Sequence, residues 1–229
     1  DNGAWDQINF MRTHMHSFMQ TGEGLFFVIG RGRSGTTLLC RMLNMSPNIH
    51  VAPEGLFILD LHKKYGSLKP AQWSEKKLGQ FVDDVKLFRR METWEIDSNE
   101  LLQQLIEIDQ SDRIYARVCL QVYEYHASAN SPSPTMVLGD KNPLYSRYLP
   151  LLQDLFPQAR FIYLVRNIKD NILSYQQVYF DMRKTADLAW RWKKYNREIQ
   201  ENIERFPHKY LKLRYEDLAR NGEQEMTRV

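Results

Sequence analysis

Apolar and polar positions follow two different rhythms along the chain. Short runs rich in β-branched and aromatic residues predict buried strands at Leu25 to Ile29, Ile49 to Ala52, Met136 to Leu138, Phe161 to Val165 and Tyr210 to Leu213. Between them, apolar residues recur three and four apart, which predicts helices. One helix starts near Thr36. Another spans Thr185 to Phe206 and carries Leu188, Trp192, Tyr195 and Ile199 on one face. That stripe reads as core-facing, with Trp192 against a ligand ring as the alternative. Strands alternating with helices predict an α/β fold with a mainly parallel central sheet flanked by helices. Four of the strand candidates are followed at once by charged or glycine residues, where an open parallel sheet places its ligands.

The helical pattern between the second and third strand candidates covers Glu75 to Arg90, Asn99 to Asp109 and Asp112 to Ala129. It is too long for a simple crossover and predicts a helical insertion over about residues 60–130, forming a lid or acceptor pocket on a single domain spanning 1–229. Tyr123, Tyr125, Met91 and Trp94 within it either line that pocket or form the insertion's own core. Residues 130–134 predict a loop back to the sheet. Tyr215 to Val229 predicts a helix that stops early, and with a first residue of Asp1 the chain reads as a fragment.

Composition narrows the classes of partner. Lys and Arg total 31 against 28 Asp and Glu, a net charge of +3, too small to predict a nucleic-acid partner. Cys40 and Cys119 stand far apart among apolar neighbours and read as buried free thiols, a disulfide being the alternative. His14 and His16 are the one close histidine pair and lack ligand-type neighbours, so no metal is expected. No apolar run approaches the roughly 20 residues that cross a bilayer. No membrane span is therefore expected, and the chain reads as cytoplasmic, with an upstream signal or anchor left open.

The chemistry concentrates in "GRGRSGTT", residues 30–37, directly after the first strand candidate. Gly30, Gly32 and Gly35 permit positive φ and close backbone approach, so successive amides can face one anion at a helix N-terminus. Thr36 stands where a nucleotide P-loop has its lysine, and Arg31 and Arg33 bring the cations into the loop instead. A metal-bound triphosphate suits this poorly; one phosphate joined to a second small anionic group suits it well. Arg166 at a strand end and Ser174 two helical turns on can face one anion, or else form a surface ion pair and a tolerated helix serine, with Asn167 and Asp170 capping the helix. Glu54, after Pro53, is either a carboxylate in a helix's first turn or a chemical group. "MVLGD" alone reads as a strand ending in a magnesium-binding Asp140.

Arg33 to Leu39 after a strand resembles the 5′-phosphosulfate loop of the sulfotransferases, enzymes of P-loop kinase-like fold that use 3′-phosphoadenosine 5′-phosphosulfate (PAPS). "LVRNIKDNILSY" (164–175) resembles their 3′-phosphate motif, and "LRYEDLA" (213–219) their later Tyr-Glu-Asp-Leu segment. "SPNIHVAPE" (46–54) and "GDKNPLY" (139–145) resemble the branch that holds tyrosylprotein sulfotransferases and bacterial relatives.

The resemblance implies a PAPS-dependent sulfotransferase acting on a hydroxyl, less readily an amine, without a metal. Arg33, Ser34, Gly35, Thr36 and Thr37 would bind the 5′-phosphosulfate, and Arg166 and Ser174 the 3′-phosphate. Glu54 would be the general base, Lys141 would reach the sulfuryl group or the bridging oxygen, and Arg33 would help offset leaving-group charge. Tyr215 would pack on the adenine, or be a core tyrosine. The cytosolic branch's Lys-Thr-His motif is missing, which agrees with a glutamate base; that branch's glycine-rich C-terminal segment is missing too, which bears on the adenine and 3′-phosphate contacts. A magnesium-dependent P-loop kinase using Asp140 and a non-catalytic nucleotide-binding relative remain the alternatives, and the acceptor stays unidentified.

Overall fold

The computed structural model describes residues 24–131, 137–178 and 184–229. Five strands, β1 (Leu25–Ile29), β2 (Ile49–Val51), β3 (Val137–Lys141), β4 (Arg160–Val165) and β5 (Tyr210–Arg214), form one sheet in the order β2-β3-β1-β4-β5. Every pairing is parallel. Helices cover both faces: α1 (Thr36–Leu43), α2 (Phe57–Tyr65), α3 (Glu75–Leu87), α4 (Ser98–Ile106), α5 (Tyr115–Asn130), α6 (Leu149–Leu155), α7 (Ile168–Gln176), α8 (Thr185–Arg205), α9 (Tyr215–Arg220) and α10 (Gly222–Met226).

β1 is buried at all five positions because a central parallel strand is covered on both faces. Its side chains alternate between two cores. Leu25, Phe27 and Ile29 join the larger one with the insertion helices, while Phe26 and Val28 join Leu39, Leu43 and Leu213 on the opposite face. Gly139 in β3 makes room for this packing, since a Cβ there would meet the Phe26 ring at 2.4 Å.

The chain leaves β1 toward β2 and leaves β4 toward β5. The loops after β1 and β4 therefore diverge and open a crevice at the carboxyl ends of adjacent strands, where doubly wound sheets bind ligands.

Several expected boundaries move. β3 continues beyond the strand candidate's end at Leu138 through Gly139, Asp140 and Lys141, because their backbones pair with Phe26, Phe27 and Val28. The pattern ending at Arg90 stops as a helix at Leu87, and Arg90 takes φ 75°. The C-terminal pattern breaks at Asn221, whose φ of −131° separates α9 from α10. The insertion's candidate pocket residues form core: Met91, Trp94, Tyr123 and Tyr125 are all buried in the larger cluster. Cys40 and Cys119 are buried free thiols, and burial pushes Cys40 up to about 12. His14, His16, Met136 and most of the loop returning to β3 lie outside the described residues. Among the described residues no helix is long and apolar enough to cross a membrane.

Candidate active site

The loop after β1 is shaped by glycines at positions where a side chain would collide or strain the backbone. Gly30 adopts φ 144° with its Cα against β4, where a Cβ would meet the Leu164 carbonyl oxygen at 2.4 Å. Its amide donates to Ser146 Oγ at 3.1 Å. Gly35, at φ 91°, precedes α1 with no side-chain cap, so the first amides of that helix stay open to a ligand. The Tyr215 ring packs against Gly35, and a Cβ there would meet ring atoms at 2.2 and 2.5 Å. Gly35→Ala is therefore expected to lower the melting temperature and weaken nucleotide binding together, at a cost of about 1–3 kcal/mol; an unchanged melting temperature would show that the loop and Tyr215 yield freely.

Arg33 has the left-handed φ of 64°, strained for a residue with a Cβ, and its Nε donates to Ser174 Oγ at 3.1 Å. Arg166 Nη1 donates to the Arg33 carbonyl at 3.2 Å, and its guanidinium stands 4.5 Å over the Tyr215 ring. The Trp192 indole N–H donates to the Arg166 carbonyl at 3.0 Å, so this tryptophan braces the β4 end. Arg166, Ser174, Arg33 and Tyr215 are thus brought into one cluster. Arg166 Nε is buried and has no hydrogen-bond partner. Ser34 turns inward, where Asn171 Nδ2 donates to its Oγ at 3.3 Å and to the Gly32 carbonyl at 3.0 Å. Asn167 caps α7 through the Lys169 amide, as its position suggests.

The second cluster is built on β2 and β3. Glu54 precedes α2 rather than lying in its first turn. Its carboxylate accepts from Lys141 Nζ through Oε1 and pairs with Arg90 through Oε2. Burial lowers the Lys141 ammonium from its ordinary range, and the Arg90 charge adds to that.

Asp140 faces away from this cluster. It is fully buried, Tyr123 donates to its Oδ2 at 2.5 Å, Tyr145 donates to the same oxygen, and the Lys141 amide donates to Oδ1 at 2.6 Å. A carboxylate so engaged is a strut of the core, which counts against the kinase alternative. Burial raises it to about 6. A carboxyl raised above its unfolded value of about 4 stabilises the fold most below that pH, and the contribution is lost as pH rises through about 6. Asp140→Asn should flatten the dependence of melting temperature on pH across that window. A curve parallel to that of the unaltered protein would contradict this.

Arg31, Gly32, Arg33, Thr36 and Thr37 line a cavity of about 430 Å³, together with Glu54, Arg90, Tyr175, Arg191 and Tyr195. A neighbouring cavity of about 270 Å³ lies among Glu54, Leu56, Asp60, Phe88, Arg89 and Arg90. Glu54, Arg90, Pro143 and Leu144 line both. A larger cavity, about 700 Å³, lies at the amino ends of the strands and holds none of these groups.

The sequence profile of the Sulfotransferase family matches residues 26–229. The chain belongs to the sulfotransferase family. A candidate protein-tyrosine sulfotransferase from Caenorhabditis briggsae is 24% identical over 212 residues, covering 90% of this chain and 64% of that protein. The chain thus spans just under two thirds of that relative's length. The sulfotransferase domain from the curacin biosynthetic pathway shares the fold, with a TM-score of 0.59 and 24% identity over 90% of this chain and 71% of that one. The sulfotransferase domain of the Synechococcus PCC 7002 olefin synthase gives 0.58 and 23%, over 89% and 70%.

The cavity beside the loop of this sulfotransferase-family chain is also lined by residues that sequence reasoning did not assign to a site. Arg90 stood at the end of a predicted helix, Tyr195 belonged to a stripe read as core-facing, and Arg191 lay beside that stripe. Asn171 was hidden because a buried asparagine in "NIKDNIL" looks like any helix polar residue. The i, i+4 relation of Arg191 to Tyr195 on α8 was the one available signal for a polar edge facing a ligand.

Proposed function

We propose that this sulfotransferase transfers the sulfuryl group from PAPS to a hydroxyl by in-line displacement. The observation that carries the reading is that Glu54 and the phosphate loop line one cavity, with Lys141 on the same carboxylate. The loop amides, Arg33, Thr36 and Thr37 would hold the 5′-phosphosulfate. Ser34 would support the loop from beneath through Asn171. Arg166 Nε, buried without a partner, suits a 3′-phosphate oxygen beside Ser174. Tyr215 would carry the adenine end.

Glu54 takes the acceptor's proton while the acceptor oxygen bonds to sulfur. As the bond from sulfur to the 5′-phosphate oxygen breaks, the electron pair leaves with adenosine 3′,5′-bisphosphate, and Lys141 and Arg33 offset its charge. No covalent intermediate on the protein is needed, so alignment and electrostatics supply most of the rate. The insertion, through the smaller cavity beside Glu54, would receive the acceptor.

The test is incubation with [35S]PAPS and a set of hydroxyl compounds: p-nitrophenol, an aliphatic alcohol, a sugar and a tyrosine-bearing peptide. Label on at least one hydroxyl is expected. Label recovered only as PAPS or free sulfate would overturn the hydroxyl-transfer reading, and label on an amine control alone would reassign the acceptor class.

A further inference from the structure

Glu54 is gripped by two cations of unlike character. Lys141, at the end of β3, has a side chain only 10% exposed and is fixed by the sheet. Arg90, in the turn after α3, has a side chain 49% exposed. Its backbone is nevertheless set: Arg90 holds φ 75°, and Met91 and Trp94 just after it are buried. That turn sits on the residue following Glu54, since a Cβ on Gly55 would meet Met91 Sδ at 3.0 Å and the Trp94 ring at 3.3 Å. The backbone is thus pinned beside the carboxylate while the side chain can swing away.

Position adds a second argument. Glu54 and Arg90 both line the donor-side and the smaller cavity, so a group passing from one to the other meets them together. A carboxylate oxygen engaged by a guanidinium is a poor proton acceptor, because the ion pair favours the charged form.

We propose that Arg90 is a positioning residue for the base: it occupies Glu54 Oε2 in the unliganded protein and yields that oxygen to the acceptor hydroxyl, while Lys141 keeps Oε1. This rests on Glu54 being the base. Glu54 would then gain proton affinity only when an acceptor has displaced the guanidinium, which ties base strength to acceptor entry. The other charged and phenolic groups lining the two cavities are Arg31, Arg33 and Arg191 with Tyr175 and Tyr195 on the donor side, and Arg89 with Asp60 on the other.

The experiment labels the protein with carboxyl-13C glutamate and assigns the Glu54 resonance by its loss in Glu54→Gln. In Arg90→Ala the midpoint of that resonance's titration should rise by about half a pH unit or more, and in Arg90→Lys it should stay near that of the unaltered protein. An unmoved midpoint in Arg90→Ala overturns the proposal; should that variant not fold, Arg90→Gln gives the same reading. With a hydroxyl compound that accepts label, Arg90→Ala should move the acidic limb of kcat/KM upward but leave that of kcat in place, since the limbs report the free and the loaded enzyme. Movement of both limbs would mean that Arg90 stays on Glu54 through turnover, contrary to the exchange. Full turnover by Glu54→Gln with the titration shift intact would instead sink the base assignment alone.

Discussion

Replacing Glu54 by glutamine is expected to lower turnover by about 10² to 10⁴-fold, the range typical of a positioned general base, while leaving adenosine 3′,5′-bisphosphate affinity nearly unchanged. Glutamine keeps the side chain's length and one oxygen to accept from Lys141 or Arg90, yet it takes no proton at neutral pH. Nucleotide binding should survive because the proposed phosphate contacts lie on the loop after β1 and at the end of β4, while Glu54 follows β2. Removing its charge leaves Lys141 and Arg90 free to attract an anion. Steady-state rates beside calorimetric affinity check this. A parallel loss of both would make Glu54 a structural ion-pair partner.

The second large effect is expected at Arg166. Its guanidinium is stacked on Tyr215, tied to the Arg33 carbonyl, and holds a buried Nε without a partner. If that donor meets the 3′-phosphate, Arg166→Ala should weaken adenosine 3′,5′-bisphosphate by about 10- to 150-fold, since a charge-assisted hydrogen bond contributes roughly 1.5–3 kcal/mol. Adenosine 5′-monophosphate, which has no 3′-phosphate, should weaken far less. Equal weakening would mean that Arg166 acts only by supporting the loop through Arg33. Arg166→Lys should recover part of the discrimination, because it restores the charge without the planar fork.

The sheet was legible because buried parallel strands announce themselves: Leu25 to Ile29 is uninterrupted and apolar, and its bounds are those observed. β3 was only half legible. Asp140 and Lys141 lie past the apolar run that marked the strand, and the partners that make them tolerable in it, Tyr123, Tyr145 and Glu54, come from outside that run. The loop with Arg33, Thr36 and Thr37 stood out because its glycines and cations are contiguous. Arg90 did not, because its importance comes from a left-handed backbone and from Gly55 packing under Met91 and Trp94, neither of which leaves a local pattern. The insertion's aromatics illustrate the opposite case. Composition alone allowed a pocket or a core, and complete burial of Trp94 and Tyr123 against Phe57 resolves it as core.

The central claim is that the arginine-bearing loop holds a phosphosulfate and its neighbours a 3′-phosphate. Calorimetric titration with adenosine 3′,5′-bisphosphate and with ATP, each with and without magnesium, tests it most directly. Tight binding of the bisphosphate that does not depend on magnesium, with ATP much weaker, is the predicted result. Preference for magnesium-bound ATP would contradict it and bring back a metal role for Asp140 despite its buried hydrogen bonds.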